Sequence, residues 1–366
     1  MRYRLSNKIP AVLIGATLFF SAIQPIEACT RAVYLGSDNL VMTGRSMDWE
    51  ENMHSSMWVF PRGIQRQGLA GPTSPQWISK YGSVVVSVYD LATADGMNEK
   101  GLVMNLLYLA ESDYGQAPKD HPPLSVSLWG QYALDNFSSV NEAVKAMSQK
   151  PFYIIAPNLP NGTASQVHLA LSDATGDSAI FEYINGQLVV HHGKQFQVMT
   201  NSPQYDKQLA LNDYWENIGG TVFLPGTSRA ADRFARASFL IHAIPSEISK
   251  NYIQGVPGQS YDHQSVASVL GVIRSVSVPL GITTPKEPNI ASTLWRTISD
   301  QKNLVYYFDS STYPNTFWVD FSKLHFEPKS PVLKLPVENG TIYAGEVSAQ
   351  LKPAEPFKFL PASLQK

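Results

Sequence analysis

A single cysteine in a chain of 366 residues leaves no intrachain disulfide to hold the fold, so the structure has to rest on buried apolar surface. Hydrophobic residues make up 44% of the chain and aromatic ones 11%, enough for one substantial core. The cysteine, Cys29, follows directly on a stretch that reads as a secretory signal. Arg2, Arg4 and Lys8 give it a positive start, residues 11–23 form an apolar run, and Ile26-Glu27-Ala28 precedes the cut. The run is too short to span a membrane in the mature protein. We therefore expect residues 1–28 to be a signal peptide and residues 29–366 to be one domain, exported to the periplasm or the medium. Removing the signal moves the formal net charge from −2 to about −4. That balance, without a run of Lys or Arg, provides no footprint for nucleic acid and no basic patch for a membrane surface.

Cleavage after Ala28 would leave a thiol and a free α-amine on one residue. Their ordinary pKa values, about 8.5 and about 7.7–8.0, let both exchange protons near neutrality, which makes a complete nucleophile and base. The plain alternative is a small buried thiol. Another is lipidation of Cys29, which would block both groups and leave a lipid-anchored binding domain; Glu27 argues against it, because small residues are expected before such a cut.

Behind Cys29 the chain reads as strand: TRAVYLG, a turn at Ser37-Asp38-Asn39, then LVMTGRSMDW, a hairpin with Cys29 at its open end. Strand patterns continue at residues 58–63, 84–90 and 101–109. Residues 122–150 show helical spacing, with Ser138 or Ser139 as a cap for a second helix. A meander follows in VHLALSD, SAIFEYI and QLVVHH, its last turn marked by Asn185-Gly186. FQVMTN is a further strand, and three helical segments lie at residues 206–218, 229–244 and 263–276. Strands return at 292–300, 303–309 and 316–321, before a polar, Pro-rich tail from about residue 328. Runs of strand followed by blocks of helix argue for an α+β layered fold, two stacked antiparallel sheets between helical layers.

The ordered motifs CTRAVYL, GRSMDW, DGMNEKGL, VMTNSPQYD, DRFARASF and LWRTISDQKNLVYYF resemble the choloylglycine hydrolase and penicillin V acylase family of N-terminal-nucleophile hydrolases, and within it the penicillin V acylases more closely. The resemblance implies a four-layer αββα fold, hydrolysis of a linear amide, no cofactor and often a homotetramer. It implies Cys29 as nucleophile, Arg45 as the charge beside it, and Asp48 as the carboxylate that holds its amine. Asn201 and the backbone N–H of Tyr108 would stabilise the oxyanion, and Arg233 would be a second arginine near the nucleophile. Tyr108 occupies a position that is usually Asn in bile salt hydrolases.

Read without the motifs, Arg45 could be a surface residue, Asp48 a turn carboxylate, Asn201 a turn residue before Pro203, and Tyr108 core. Arg233 could belong to a basic stripe with Arg229 and Arg236. Strand alternation separates Arg45 from Asp48, so a bend or bulge is expected between them. Met47, Trp49, Met53, Trp58, Leu107 and Trp129 are candidates for an apolar acyl pocket. Scattered histidines offer no metal-ligand spacing, so neither metal nor cofactor is expected. The substrate classes left open are penicillin V-like amides, conjugated bile salts and N-acyl homoserine lactones.

Overall fold

Two large antiparallel sheets stack face to face in the computed structural model, which describes residues 29–116, 121–284 and 291–363. The expected signal segment, residues 1–28, lies outside the described residues. Strands β1 (Thr30–Leu35) and β2 (Val41–Trp49) form the predicted hairpin and sit inside a seven-stranded sheet. Ser292–Asp300, Val305–Ser310 and Thr316–Asp320 continue it outward from β2. The second sheet has nine strands and carries the meander at one end, in the order Gln187–His192, Ser178–Ile184, Val167–Ser172, Val103–Tyr108 and Ala92–Asn98. Helices α1 (Trp129–Asn136) and α2 (Val140–Met147) cover its outer face. Beyond α3 (Tyr205–Ile218), helices α4 (Ala230–Ala243) and α5 (Tyr261–Ser275) cover the first sheet, completing the four layers.

Why β2 is buried along its whole length follows from these layers. Positions 43, 45 and 47 face the second sheet, where Thr43 Oγ1 lies 2.7 Å from Ser172 Oγ. Arg31, opposite Arg45, reaches across to Leu171 O and Ser178 Oγ at 3.1 and 3.0 Å. Positions 44, 46 and 48 face the helices. A Cβ at Gly44 would come within 2.6 Å of Ile273 Cγ1, so the glycine lets α5 approach the strand.

Within the second sheet, Ala92–Asn98 and Val103–Tyr108 pair only from Asp95↔Asn105 to Met97↔Val103. Ala94 is the extra residue of a bulge, between the pairs Val86↔Asp95 and Ser87↔Thr93. Past the bulge the strands part, and the sheet splits between residues 92–94 and 106–108. This split positions the functional site.

Two expectations need correction. The helical pattern over 122–150 begins late, because Pro123–Ser125 pairs in parallel with Tyr153–Ile155 and a short 3₁₀ turn precedes α1. Two prolines at 122 and 123 keep that stretch extended. The supposed tail from residue 328 belongs to the fold: Leu333–Pro336 pairs with Ser56–Phe60, and Gly345–Glu346 joins the first sheet. Phe357 and Phe359 are buried against Trp58 and Phe60, apolar anchors in a segment whose prolines and charges dominated its composition.

Candidate active site

Cys29 sits just ahead of β1, and its thiol is buried on the side that faces the second sheet. Met47 Sδ lies 3.9 Å from the sulfur, Arg45 Nη2 3.8 Å, and the carbonyl oxygen of Asp48 3.7 Å. Burial pushes the thiol pKa up, while Arg45 and, more weakly, Arg233 pull it down; Asp48 pushes it further up. A thiol so placed stays protonated near neutrality unless a base stands beside it.

The split sheet explains how Arg45 and Asn201 are held. Gln166 O accepts from Leu109 N at 3.0 Å, and the alternation of an antiparallel ladder therefore turns the peptide groups of Leu106 and Tyr108 toward the split. Side chains take over there. Arg45 Nη2 donates to Leu106 O at 3.1 Å, and Asn201 Nδ2 donates to Tyr108 O at 2.8 Å. The backbone N–H of Tyr108 points to the same side. Arg45 also stacks its guanidinium 4.7 Å from the Trp295 ring centroid, and among the described residues its Nε and Nη1 have no hydrogen-bond partner. The buried carboxylate of Asp95, held by Asn105, Thr297 and Tyr306, supplies a counter-charge, and Arg45 in turn lowers the pKa that burial has raised there.

Arg233 works from the opposite side of the hairpin. Its Nη1 donates to Cys29 O and Thr30 Oγ1, both at 2.6 Å, its Nη2 to Asn201 Oδ1 at 2.9 Å, and its Nε to Ser228 O at 2.8 Å. One guanidinium thus ties the cysteine's peptide to Asn201 and fixes which way the Asn201 amide faces. Burial lowers its pKa to about 10, which leaves it charged at neutral pH. The expected stripe does not form: Arg229 is exposed at the start of α4, and Arg236 donates to Pro225 O and Thr227 O at 2.5 and 2.9 Å.

Asp48 lies on the helix-facing side of β2, fully buried, with Ser46 Oγ 3.4 Å from its Oδ2. Burial raises its pKa to about 6 against the pull of Arg233, Thr293 and Arg45. Among the described residues its Oδ1 has no hydrogen-bond partner. The predicted bulge falls on the neighbouring strand, where Leu294 is the extra residue between the pairs Thr293↔Asp48 and Trp295↔Met47. β2 itself stays regular, and Arg45 and Asp48 keep to opposite faces. They need not converge, because a residue at the open end of the hairpin is reached from both faces.

A mainly apolar cleft lies between the thiol and the split. Met47, Trp49 and Met53 line it, as expected, together with Arg45 and Tyr108. Trp58, Leu107 and Trp129 do not. Leu107 faces the inter-sheet core while its neighbour Leu106 borders the cleft; Trp58 and Trp129 belong to the core beneath α1. Ala92, Ala94, Val126, Leu159 and Leu360 line it without any sequence signal, because the split that assembles them is a long-range event. Among the described residues no group of three or more His, Cys, Asp or Glu side chains could hold a metal ion, and no helix is long and apolar enough to cross a membrane.

These groups place a buried thiol with flanking cations and an amide donor beside an apolar cleft. The family model for choloylglycine hydrolases, linear amide C–N hydrolases, matches residues 29–334, and the chain belongs to that family. It is a hydrolase of carbon–nitrogen bonds in linear amides. A penicillin V acylase of Pectobacterium atrosepticum is 45% identical over 97% of this chain and 98% of its own length. A bile salt hydrolase/transferase of Clostridium perfringens is 30% identical over 70% of this chain and 84% of its own. The solved structure of penicillin V acylase from Agrobacterium tumefaciens superposes with a TM-score of 0.82 at 51% identity, covering 91% of this chain and 99% of that one.

Proposed function

We propose that the chain is exported, cut after Ala28, and acts as a penicillin V acylase-like amidase with Cys29 as its N-terminal nucleophile. The observation that carries this reading is the convergence on one residue: a thiol in the lining of an apolar cleft, and a buried carboxylate oxygen, Asp48 Oδ1, that has no hydrogen-bond partner among the described residues. A cationic α-ammonium on Cys29 would supply that partner. The start of the family match at residue 29 and the similarity to a penicillin V acylase along nearly the whole chain support the same reading.

In this mechanism the amine of Cys29 takes the thiol proton, and the thiolate attacks the substrate carbonyl. Asn201 Nδ2, with one N–H on Tyr108 O and the other available, and the backbone N–H of Tyr108 receive the developing oxyanion. The tetrahedral intermediate collapses to a thioester, and the leaving amine departs with the proton held by the Cys29 ammonium. Water then attacks the thioester, the amine again accepting a proton, and the carboxylic acid is released. Arg45 raises the thiolate fraction, and Arg233 keeps cysteine and amide in register.

Tyr108 and the apolar lining favour a compact acyl group such as that of penicillin V. Conjugated bile salts and N-acyl homoserine lactones are the competing substrates, and parallel steady-state assays on all three separate them. Assembly as a homotetramer belongs to this reading and is tested by light scattering. Mass analysis of the mature protein tests the nucleophile: the expected chain begins with unmodified Cys29, and a diacylglyceryl adduct or a cut elsewhere would falsify the proposal. Cys29→Ser should keep the fold and lose nearly all turnover.

A further inference from the structure

One wall of the cleft, Leu360, lies well beyond residue 334, where the match to the family model ends. Resting on the amidase reading, we propose that Leu360 sets the depth to which an acyl chain can enter. The cleft is lined by Cys29, by Ala92 and Ala94 on the bulged strand and by Leu106 and Tyr108 across the split, with Leu360 of the C-terminal segment beside Ser127 in the same lining.

Both peptide groups of Leu360 are fixed. Its N–H donates to Leu91 O at 2.8 Å, on the side of the bulged strand, and its carbonyl accepts Ser125 Oγ and Ser127 Oγ at 2.7 and 2.8 Å, from the segment leading into α1. Two residues on, Ala362 N donates to Leu69 O at 2.8 Å. On the other side Phe359 is buried, with the Arg66 guanidinium 5.2 Å from its ring centroid. The segment is therefore fastened to the end of the bulged strand, to the stretch leading into α1 and to Leu69, and it resists displacement when a longer chain presses on it.

The same bonds make this end of the cleft apolar. Ser127 spends its hydroxyl hydrogen on Leu360 O, and Ser165, the other serine of the lining, donates to Pro157 O at 2.6 Å. An entering acyl chain meets serines whose hydroxyls already donate to backbone carbonyls and a branched aliphatic side chain that is itself half-buried. A methylene gained or lost against such a wall changes discrimination by roughly 10- to 200-fold. Leu360 is thus a specificity-determining residue contributed by a segment whose composition reads as a tail.

The test is kcat/KM over a series of N-acyl amides that share one amine and differ in the length of a linear acyl chain, for the mature enzyme and for Leu360→Ala, Leu360→Met and Leu360→Trp. Calorimetric binding of the corresponding free carboxylic acids is measured alongside, since it needs no turnover. Leu360→Ala should move the optimum to longer chains, by about tenfold in relative kcat/KM. Leu360→Trp should confine it to the shortest, Leu360→Met should keep the native profile, and acid binding should follow the same order. Thermal melting identifies any variant that has lost its fold, and the remaining variants decide. If amides are cleaved but the length profile and acid binding do not move in Leu360→Ala and Leu360→Trp, the proposal is overturned while the amidase reading stands. If no amide is cleaved yet acid binding shifts with residue 360, the wall is upheld and the amidase reading falls.

Discussion

The two faces of β2 are built to different standards. On the helix-facing side Arg233 spends Nε, Nη1 and Nη2 on four acceptors, and the peptide of Cys29 is locked by them. On the inter-sheet side, among the described residues, Arg45 has only Nη2 engaged and lies against a ring and a cleft. Two buried arginines within reach of one cysteine thus do unlike work: one fixes where the residue is, the other biases what its sulfur does. Full satisfaction gives rigidity, while partial satisfaction leaves field and donors directed at the reacting atom.

Replacing each arginine by methionine breaks the comparison most directly. Arg233→Met strands Cys29 O, Thr30 Oγ1 and Asn201 Oδ1 in the interior, and it should cost on the order of 3–5 kcal/mol of stability along with activity. Arg45→Met removes a cation with few partners, so melting should change far less while kcat drops. Equal losses of melting temperature in the two variants would erase the distinction. Asn201→Ala isolates the donor from the scaffold, and here kcat should fall about 100- to 1000-fold with KM nearly unchanged. A large rise in KM instead would mean that Asn201 binds substrate and does not serve the oxyanion.

Asp48 sharpens the contrast through pH. With a peptide preceding Cys29, burial holds its folded pKa at about 6 against an ordinary 3.8. A folded value above the unfolded one means stability that is present below 3.8 and lost as pH rises through about 6. Cleavage that frees the α-ammonium should pull the carboxylate back down and remove that loss. Melting temperature against pH, measured on cut protein and on protein with residues retained ahead of Cys29, reads the difference. Superimposable curves would rule out the pairing of Asp48 with the amine.

What the sequence discloses of this arrangement divides along the same line. The hairpin, the meander, the three later helices and the residues placed in quoted motifs were legible, because alternation, turn residues and motif order are local. The split was not: it needs a bulge at Ala94 and two paired strands that part beyond Asp95↔Asn105, and nothing in DGMNEKG or LVMNLLYL announces it. Hence Met47, Trp49 and Met53, close in sequence to Arg45, were anticipated in the cleft, and Leu159 and Leu360 were not. Trp58 and Trp129 failed as candidates for a related reason: Trp58 on its strand and Trp129 at the start of α1 both turn to the core beneath α1 instead of the cleft.

The smallest expected effect concerns a pair that no motif marks. Glu182, buried in the meander, accepts the backbone N–H of Tyr205 at 3.2 and 3.1 Å, and His168 Nδ1 lies 2.9 Å from its Oε1. Helix α3 has no side-chain cap of its own, so a carboxylate from the second sheet takes the place of one at its first turn. One turn on, Gln208 Nε2 donates to Asn201 O at 2.7 Å. The chain of contacts runs from the meander through the start of α3 to the main-chain carbonyl of Asn201, the residue whose side-chain amide Arg233 orients from the other side. Glu182→Gln keeps the shape and removes the charge, and it should lower kcat by about threefold to tenfold at constant KM, with a stability loss of about 1 kcal/mol. A merely structural role would lower melting and leave kcat alone. In an Asn201→Ala background the kcat effect should vanish, because the residue it positions is gone; if it persists undiminished, Glu182 acts on the site by some other route and the helix side of β2 is less self-sufficient than its hydrogen bonds imply.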